Sequence, residues 1–219
     1  MPIGGRPIIV HIIEIFASQG FTDFVLAAGY RKEVLADYFD RRSTDWQIEI
    51  VDTGENSDTG RRISCCLDRL GDRFLATYGD GLCDVNLTTL IEAHQKSGCS
   101  ATLTTVPLRS QFGVVNLDRR GRVKAFLEKP LIPKHWINAG FFVFDKSAFL
   151  KWEGESLEMD LLPALARTGD LSAYRHRGFW RAMDTHKDQQ ELEELCQGTT
   201  IPWLPKGLAK CTPNSGSDA

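Results

Sequence analysis

Residues 73–81, RFLATYGDG, constrain the fold more than any other stretch, because the chain changes character there in one step. Phe74, Leu75 and Ala76 form an apolar run suited to a strand buried on both faces, and Tyr78-Gly79-Asp80-Gly81 then breaks it with a carboxylate between two glycines. In open parallel sheets, ligands gather beyond the carboxyl ends of the strands, where glycines let a phosphate or sugar approach the backbone. The same residues also suit a plain polar turn, since Gly and Asp are ordinary turn formers.

A second acid favours a site over a turn. Residues 178–185 read GFWRAMDT, an apolar strand ending in Asp184, with Thr185 placed to cap a following helix. Two carboxylates on separate strand ends can share one hard divalent cation, and Mg²⁺ commonly takes one or two protein carboxylates plus substrate phosphates. The pair points to phosphoryl or nucleotidyl chemistry. Cys83, three residues beyond Asp80, falls near this position without an evident part in it.

Periodicity around these strands alternates between helix and strand. Residues 7–19 read as a helix entered at Pro7 and stopped at Gly20; residues 24–28 as a buried strand; Val34, Leu35, Tyr38 and Phe39 as a helix face; Trp46, Ile48 and Ile50 as a strand. A polar loop at 52–60 leads to a helix marked by Ile63, Leu67 and Leu70. Residues 86–96 form another helix, in which His94 reads as a partly covered residue, and 101–106 a strand. Helices alternating with buried strands imply a sheet with helices on both faces.

Beyond Pro107 the texture becomes that of a mixed sheet: a hairpin at 114–127, a long strand at 136–144, a helix at 157–167, strands at 171–176 and 179–183, and a charged helix at 187–197. The prolines and the ending NSGSDA make 198–219 a loosely held tail. At 219 residues and 42% hydrophobic content, the chain suits one α/β domain with a real core.

Charge and cysteine usage exclude several functions. The net charge is −3, and basic residues are scattered, with runs no longer than pairs such as Arg61-Arg62, so no nucleic-acid groove or anionic membrane face is indicated. No apolar run approaches a membrane span, and the start, PIGGRP, is not a secretory signal. The six cysteines form no CxxC pair, which favours reduced structural thiols and a cytoplasmic protein.

Further candidates lie in the second half. Glu128-Lys129-Pro130 reads either as a sugar-phosphate contact at a strand end or as a surface salt pair before a proline turn. Asn138 sits inside an apolar strand and needs partners, from the protein or from a ligand. Gly113 suits a turn, and Glu158 an ordinary first-turn helix acid.

Together, IGGRPI, DTGENSDTG, FLATYGDG, the FG at 112–113, FLEKP, INAGFFVF and HRGFWRAMDT resemble the sugar-phosphate nucleotidyltransferase family, in family order from Pro2 to about Trp203. Within it, the sequence looks most like the branch that joins CTP to glucose 1-phosphate. The resemblance implies a Rossmann-like mixed sheet with helices on both faces, a nucleotide-binding half (1–106), a sugar-phosphate-binding half (107–197) and a homo-oligomer. It implies that Asp80 and Asp184 hold Mg²⁺ and that Thr59, Gly60, Arg62 and Gly79 meet the nucleoside triphosphate. Glu128, Lys129 and Asn138 match sugar 1-phosphate contacts, Lys129 also serving catalysis, and Gly113 and Glu158 line the sugar pocket.

Two departures from the family pattern stand out. The motif TGGR reads TGRR, with Arg61 in place of a glycine. Family members also carry a strand, a glycine-rich loop ending in GTR and a KPKP segment ahead of the position matching Met1. That strand lies between those matching 24–28 and 74–78, so the resemblance implies two unpaired edges facing an apolar slot. Other readings are a binding homologue without catalysis and a metal-dependent glycosyltransferase using Asp80 and Asp84.

Overall fold

The protein is described by a computed structural model covering residues 2–41, 44–150, 152–198 and 200–205. In chain order it contains β1 (Pro2–Ile3), β2 (Arg6–Pro7), α1 (Ile8–Ala17), β3 (Asp23–Ala28), α2 (Lys32–Asp40), β4 (Gln47–Asp52), α3 (Thr59–Cys66), β5 (Arg73–Thr77) and β6 (Gly81–Cys83). There follow α4 (Leu87–Ser97), β7 (Ala101–Arg109), β8 (Val114–Leu117), β9 (Val123–Leu127), β10 (Leu131–Asp145), α5 (Leu162–Thr168), β11 (Leu171–Arg175), β12 (Trp180–Ala182) and α6 (His186–Cys196).

The largest sheet runs β11-β7-β10-β5, with β11 parallel to β7 and β10 antiparallel to both β7 and β5. β10 explains why the core has two halves. Its residues Ala139 to Phe144 are all buried, and alternation sends Phe141 and Val143 to one face and Phe142 and Phe144 to the other. On the first face they meet Ile12 and Phe16 of α1, Leu90 of α4 and Leu192 of α6. On the second they meet Leu162 of α5, Leu157 and Ile63 of α3. Helices thus cover both faces, as the alternating pattern implies.

Local chemistry accounts for the ends of these elements. Gly4 and Gly5 both have positive φ (56° and 73°) and join β1 to β2 as a two-residue hairpin, the conformation a primed turn requires. The hairpin docks on α6, Gly4 N–H donating to Glu193 (2.7 Å) and Gln189 to the Pro2 carbonyl (2.9 Å). α1 is buried nearly all round, as its sequence IIVHIIEIFA demands.

β3 pairs only with β4, and β5 only with β10, among the described residues. Between them lies a cavity of about 1080 Å³ lined by Val25, Leu26, Leu75 and Ala76, with Ile12 and Phe16 of α1 on its floor. Two facing strand edges with open backbone groups and apolar walls are the slot that the resemblance implies.

Two expectations need correction. The tail is not loose from Gly198: Ile201, Trp203 and Leu204 are buried, and Trp203 stacks edge-on against His11 at 5.6 Å. The prolines around them mark a tight turn rather than an unfolded end; residues 206–219 lie outside the described residues. His94 is fully buried, not partly covered, with Nδ1 2.9 Å from Thr102 Oγ1. The helix expected over 157–167 is present, opening as a π-helical turn at Leu157–Leu161, capped by the Ser156 side chain, that runs into α5. Gly81, the last residue of the GDG break, opens the short strand β6.

Candidate active site

β6 and β12 position the two acids. The register pairs Gly81 with Ala182, and the ladder extends by one bond, Met183 N–H donating to the Asp80 carbonyl at 2.9 Å. Asp80 and Asp184 therefore leave the same end of one antiparallel pair. Loss of water around the Asp80 carboxyl, together with the facing charge of Asp184, raises its proton affinity above the ordinary carboxylate range. Both groups offer hard oxygen ligands, and like charges held together are what a divalent cation relieves, so the donor set fits Mg²⁺.

Trp180 anchors this pair on the main sheet by donating from Nε1 to the Ala139 carbonyl (2.8 Å). Past Asp184, the Thr185 side chain accepts from the Asp188 N–H while Asp188 accepts from the Thr185 N–H, a capping box that begins α6. The cap fixes the backbone direction immediately after the acid. Gly79 has nothing within 4 Å of the place a Cβ would occupy, so the approach to Asp80 is open on that side.

A second group of expected residues meets at Tyr78. Its hydroxyl donates to Glu158 Oε1 and accepts from Asn138 Nδ2 (3.1 Å), while Thr59 Oγ1 donates to Glu158 Oε2 (2.7 Å). The Asn138 carbonyl oxygen accepts from Gly140 N–H (2.9 Å), which assigns the orientation of its amide. Gly140 has φ 79°, and a Cβ there would lie 2.5 Å from Tyr78 Cδ2. The ring therefore lies flat on the strand where a glycine leaves room. Burial, then the bond to Glu158, pushes the Tyr78 hydroxyl well above its ordinary pKa.

The loop before α3 is held differently. Arg62 donates to Thr53 Oγ1 (2.7 Å) and to the carbonyls of Gly54 and Glu55 (3.2 Å each). Gly60 is packed against Trp152, whose Cη2 would lie 2.2 Å from a Cβ, and Arg61 N–H donates to the Glu155 carbonyl (2.9 Å). Here Thr59 joins the Tyr78 group, whereas Arg62 spends its hydrogen bonds on its own loop. Arg61 is exposed, so replacing the motif's glycine meets no obstacle in this turn.

Glu128 and Lys129 do not pair with one another among the described residues. Lys129 adopts φ 44°, its carbonyl accepts from Arg109 (3.0 Å), and its side chain is exposed. Glu128 lies beside Gly113: a Cβ there would sit 3.1 Å from Oε2 and 2.5 Å from the Phe126 ring. Gly113 and Glu128 are thus brought together at the base of the β8–β9 hairpin, apart from the hydrogen-bonded group around Tyr78. The Asp84 carboxylate lies 2.8 Å from His176 Nε2, and the Asp84 N–H donates to the Phe179 carbonyl. Cys83 is fully buried, and burial pushes its thiol up to about 12.

Sequence reasoning missed Tyr78, Trp180 and Trp152. Tyr78 sits between an apolar run and two glycines, a context that marks a strand end but says nothing of what its hydroxyl reaches. A usable signal was the Gly140 that interrupts INAGFFVF, since an isolated glycine in a strand often marks close approach by another group.

Paired hard-oxygen acids at the strand ends of a mixed α/β sheet, beside an open glycine, define a class of phosphate-handling proteins. The chain belongs to the nucleotidyl transferase family, whose model matches residues 1–196. It is 35% identical to the glucose-1-phosphate cytidylyltransferase of Salmonella typhimurium over 92% of this chain and 88% of that protein. It is 37% identical to the probable glucose-1-phosphate cytidylyltransferase of Bacillus subtilis over 88% and 85%. The crystal structure of HddC from Yersinia pseudotuberculosis superposes with a TM-score of 0.71 at 20% identity, covering 89% of this chain and 87% of that one, and supports the fold. No helix among the described residues is long and apolar enough to cross a membrane.

Proposed function

We propose that the protein joins a nucleoside triphosphate, CTP, to a sugar 1-phosphate, glucose 1-phosphate, releasing pyrophosphate. The observation that carries this reading is the convergence of Asp80 and Asp184 on one end of the β6–β12 pair, within a chain of the nucleotidyl transferase family. The names of the Salmonella and Bacillus relatives favour cytosine and glucose.

In this reaction an oxygen of the sugar phosphate attacks the α-phosphorus in line. The new O–P bond forms as the bond to the β-phosphate oxygen breaks, and pyrophosphate departs with the electron pair. No protein nucleophile is needed. Asp80 and Asp184 hold Mg²⁺, which when bound offsets the negative charge on the reacting phosphates. Lys129 supplies a point charge to the sugar phosphate, and Glu128, Asn138 and Glu158 accept from or donate to sugar hydroxyls. Gly113 leaves space for Phe126 and Glu128 at that pocket's edge. Thr59, Gly60, Arg62 and Gly79 border the nucleotide, Arg62 by holding the 53–55 loop in shape.

The protein works in the cytoplasm, a placement supported by its cysteine spacing, which holds no CxxC pair. It assembles as a homo-oligomer, supported by the exposed Val115, Leu117, Val123 and Phe126 that share the β8–β9 hairpin. Pyrophosphate release from CTP plus glucose 1-phosphate with Mg²⁺, compared with Asp80→Asn, tests the reading; equal signals from the two proteins refute it. A second reading, sugar-phosphate binding without turnover, is favoured by the open slot between β3 and β5. Calorimetric binding of glucose 1-phosphate without pyrophosphate release would select it.

A further inference from the structure

Tyr78 is two residues from Asp80, yet its hydroxyl turns away from a metal-ligand role and, directly or through Glu158, links three separate elements. It donates to Glu158 in the π-turn and accepts from Asn138 in β10, and the other Glu158 oxygen accepts from Thr59 at the start of α3. The ring cannot shift toward β10, because it already occupies the space left by Gly140, and Phe142 meets it edge-on at 5.5 Å. The hydroxyl is therefore a fixed point, set by packing rather than by a flexible stem.

What this fixed point displays is informative. Glu158 is exposed, with both oxygens already bonded on their protein side. A carboxylate has about four acceptor sites, so it keeps capacity for hydroxyl donors from solvent or a ligand. Asn138 has its carbonyl oxygen on Gly140 and one amide hydrogen on Tyr78, leaving the second amide hydrogen to donate. An acceptor and a donor held a fixed distance apart by one bridging oxygen complement neighbouring hydroxyls of a sugar ring.

We infer that Tyr78 is a positioning residue for sugar recognition: its hydroxyl sets the spacing of Glu158 and Asn138 and so determines which pyranose hydroxyl pattern the site accepts. This rests on the sugar-phosphate reading given above. Tyr78 does not touch the reacting atoms; it acts through the two side chains it joins. Removing a hydrogen bond to a charged group typically weakens the interaction it supports by about tenfold or more.

The experiment compares the full chain with Tyr78→Phe, which keeps the ring on Gly140 and deletes the bridge. The KM for glucose 1-phosphate should rise about tenfold, with kcat and the KM for CTP within about twofold, the pattern of lost ground-state positioning. Preference for glucose 1-phosphate over galactose 1-phosphate and mannose 1-phosphate should narrow in step. Because Tyr78 acts through Glu158, adding Tyr78→Phe to Glu158→Gln should change sugar KM by less than the single substitutions predict together. An unchanged sugar KM, equal damage to CTP and sugar terms, or strict additivity overturns the assignment. If the wild type binds glucose 1-phosphate by calorimetry without turnover, the reaction reading fails alone, and the same comparison of affinities still decides the role of Tyr78. If the wild type binds no sugar phosphate, both fall.

Discussion

Gly140→Ala is the sharpest test of how the site is built, because one methyl group meets two separate penalties. The residue is buried in β10 at φ 79°, where an L-residue pays roughly 1–2 kcal/mol for the left-handed conformation. The added Cβ would also lie 2.5, 3.1 and 3.4 Å from three atoms of the Tyr78 ring. The ring cannot yield freely, since Phe142 and the bonds to Glu158 and Asn138 hold it, so overpacking adds about 1–3 kcal/mol. The total is about 2–5 kcal/mol. With a urea m-value on the order of 2–3 kcal/mol/M, the unfolding midpoint should fall by about 1–2 M at unchanged slope. Gly79→Ala serves as the control, because no atom lies within 4 Å of its Cβ position and its φ is not positive; its effect should stay within about 0.5 kcal/mol. A Gly140→Ala midpoint indistinguishable from wild type would show that Tyr78 is not held against the strand, and the described network would lose its basis.

His11 supplies a pH prediction: burial, opposed in part by its bond to the Ile3 carbonyl and helped by Arg6, lowers its pKa below 6.5 in the folded protein. A depressed histidine contributes stability that is complete above the unfolded value and lost as pH falls below 6.5, by up to about 1.4 kcal/mol per unit until the folded pKa is reached. Urea titrations at several pH values should show this slope in the wild type and a shallower one in His11→Gln; parallel slopes contradict it. Gly60→Ala should cost about 1–3 kcal/mol, since its Cβ would strike the Trp152 ring at 2.2 Å and the Glu155 carbonyl at 3.0 Å; an unshifted thermal midpoint contradicts that packing. The slot between β3 and β5 presents a large apolar surface, so the native chain should enhance anilinonaphthalene sulfonate fluorescence below the unfolding transition, and absence of enhancement would mean the slot is closed in solution.

The sequence was most legible where periodicity or capping chemistry is unambiguous. WINAGFFVF reads as a long strand, and β10 is that; MDT reads as an acid followed by a helix cap, and Thr185 caps α6. Asp80 and Asp184 were visible as strand-end acids. What joins them was not: β6 is three residues long, too short to show a period, and its pairing with β12 is a long-range contact that no local pattern encodes. Composition misled at 201–204, where prolines outweighed Ile201, Trp203 and Leu204, whose burial depends on the floor offered by α1. The Tyr78 group was hidden for a different reason. Its members, Thr59, Asn138 and Glu158, each had a plain local reading, and only the fold reveals that one hydroxyl connects them.

The β6–β12 ladder also fixes where the two acids sit along their strands. The register pairs Gly81 with Ala182 and sets Asp80 opposite Met183, so a slip of one residue between β6 and β12 would move Asp184 by one residue length, roughly 3.3 Å, relative to Asp80. Three features oppose that slip: Leu82 and Cys83 are fully buried, Trp180 is bonded to the Ala139 carbonyl, and the Thr185 cap ends the strand immediately after the acid. Each lies outside the two acids, so the register does not depend on them. The carboxylates can therefore be held close against their own repulsion, with the cost met by core packing.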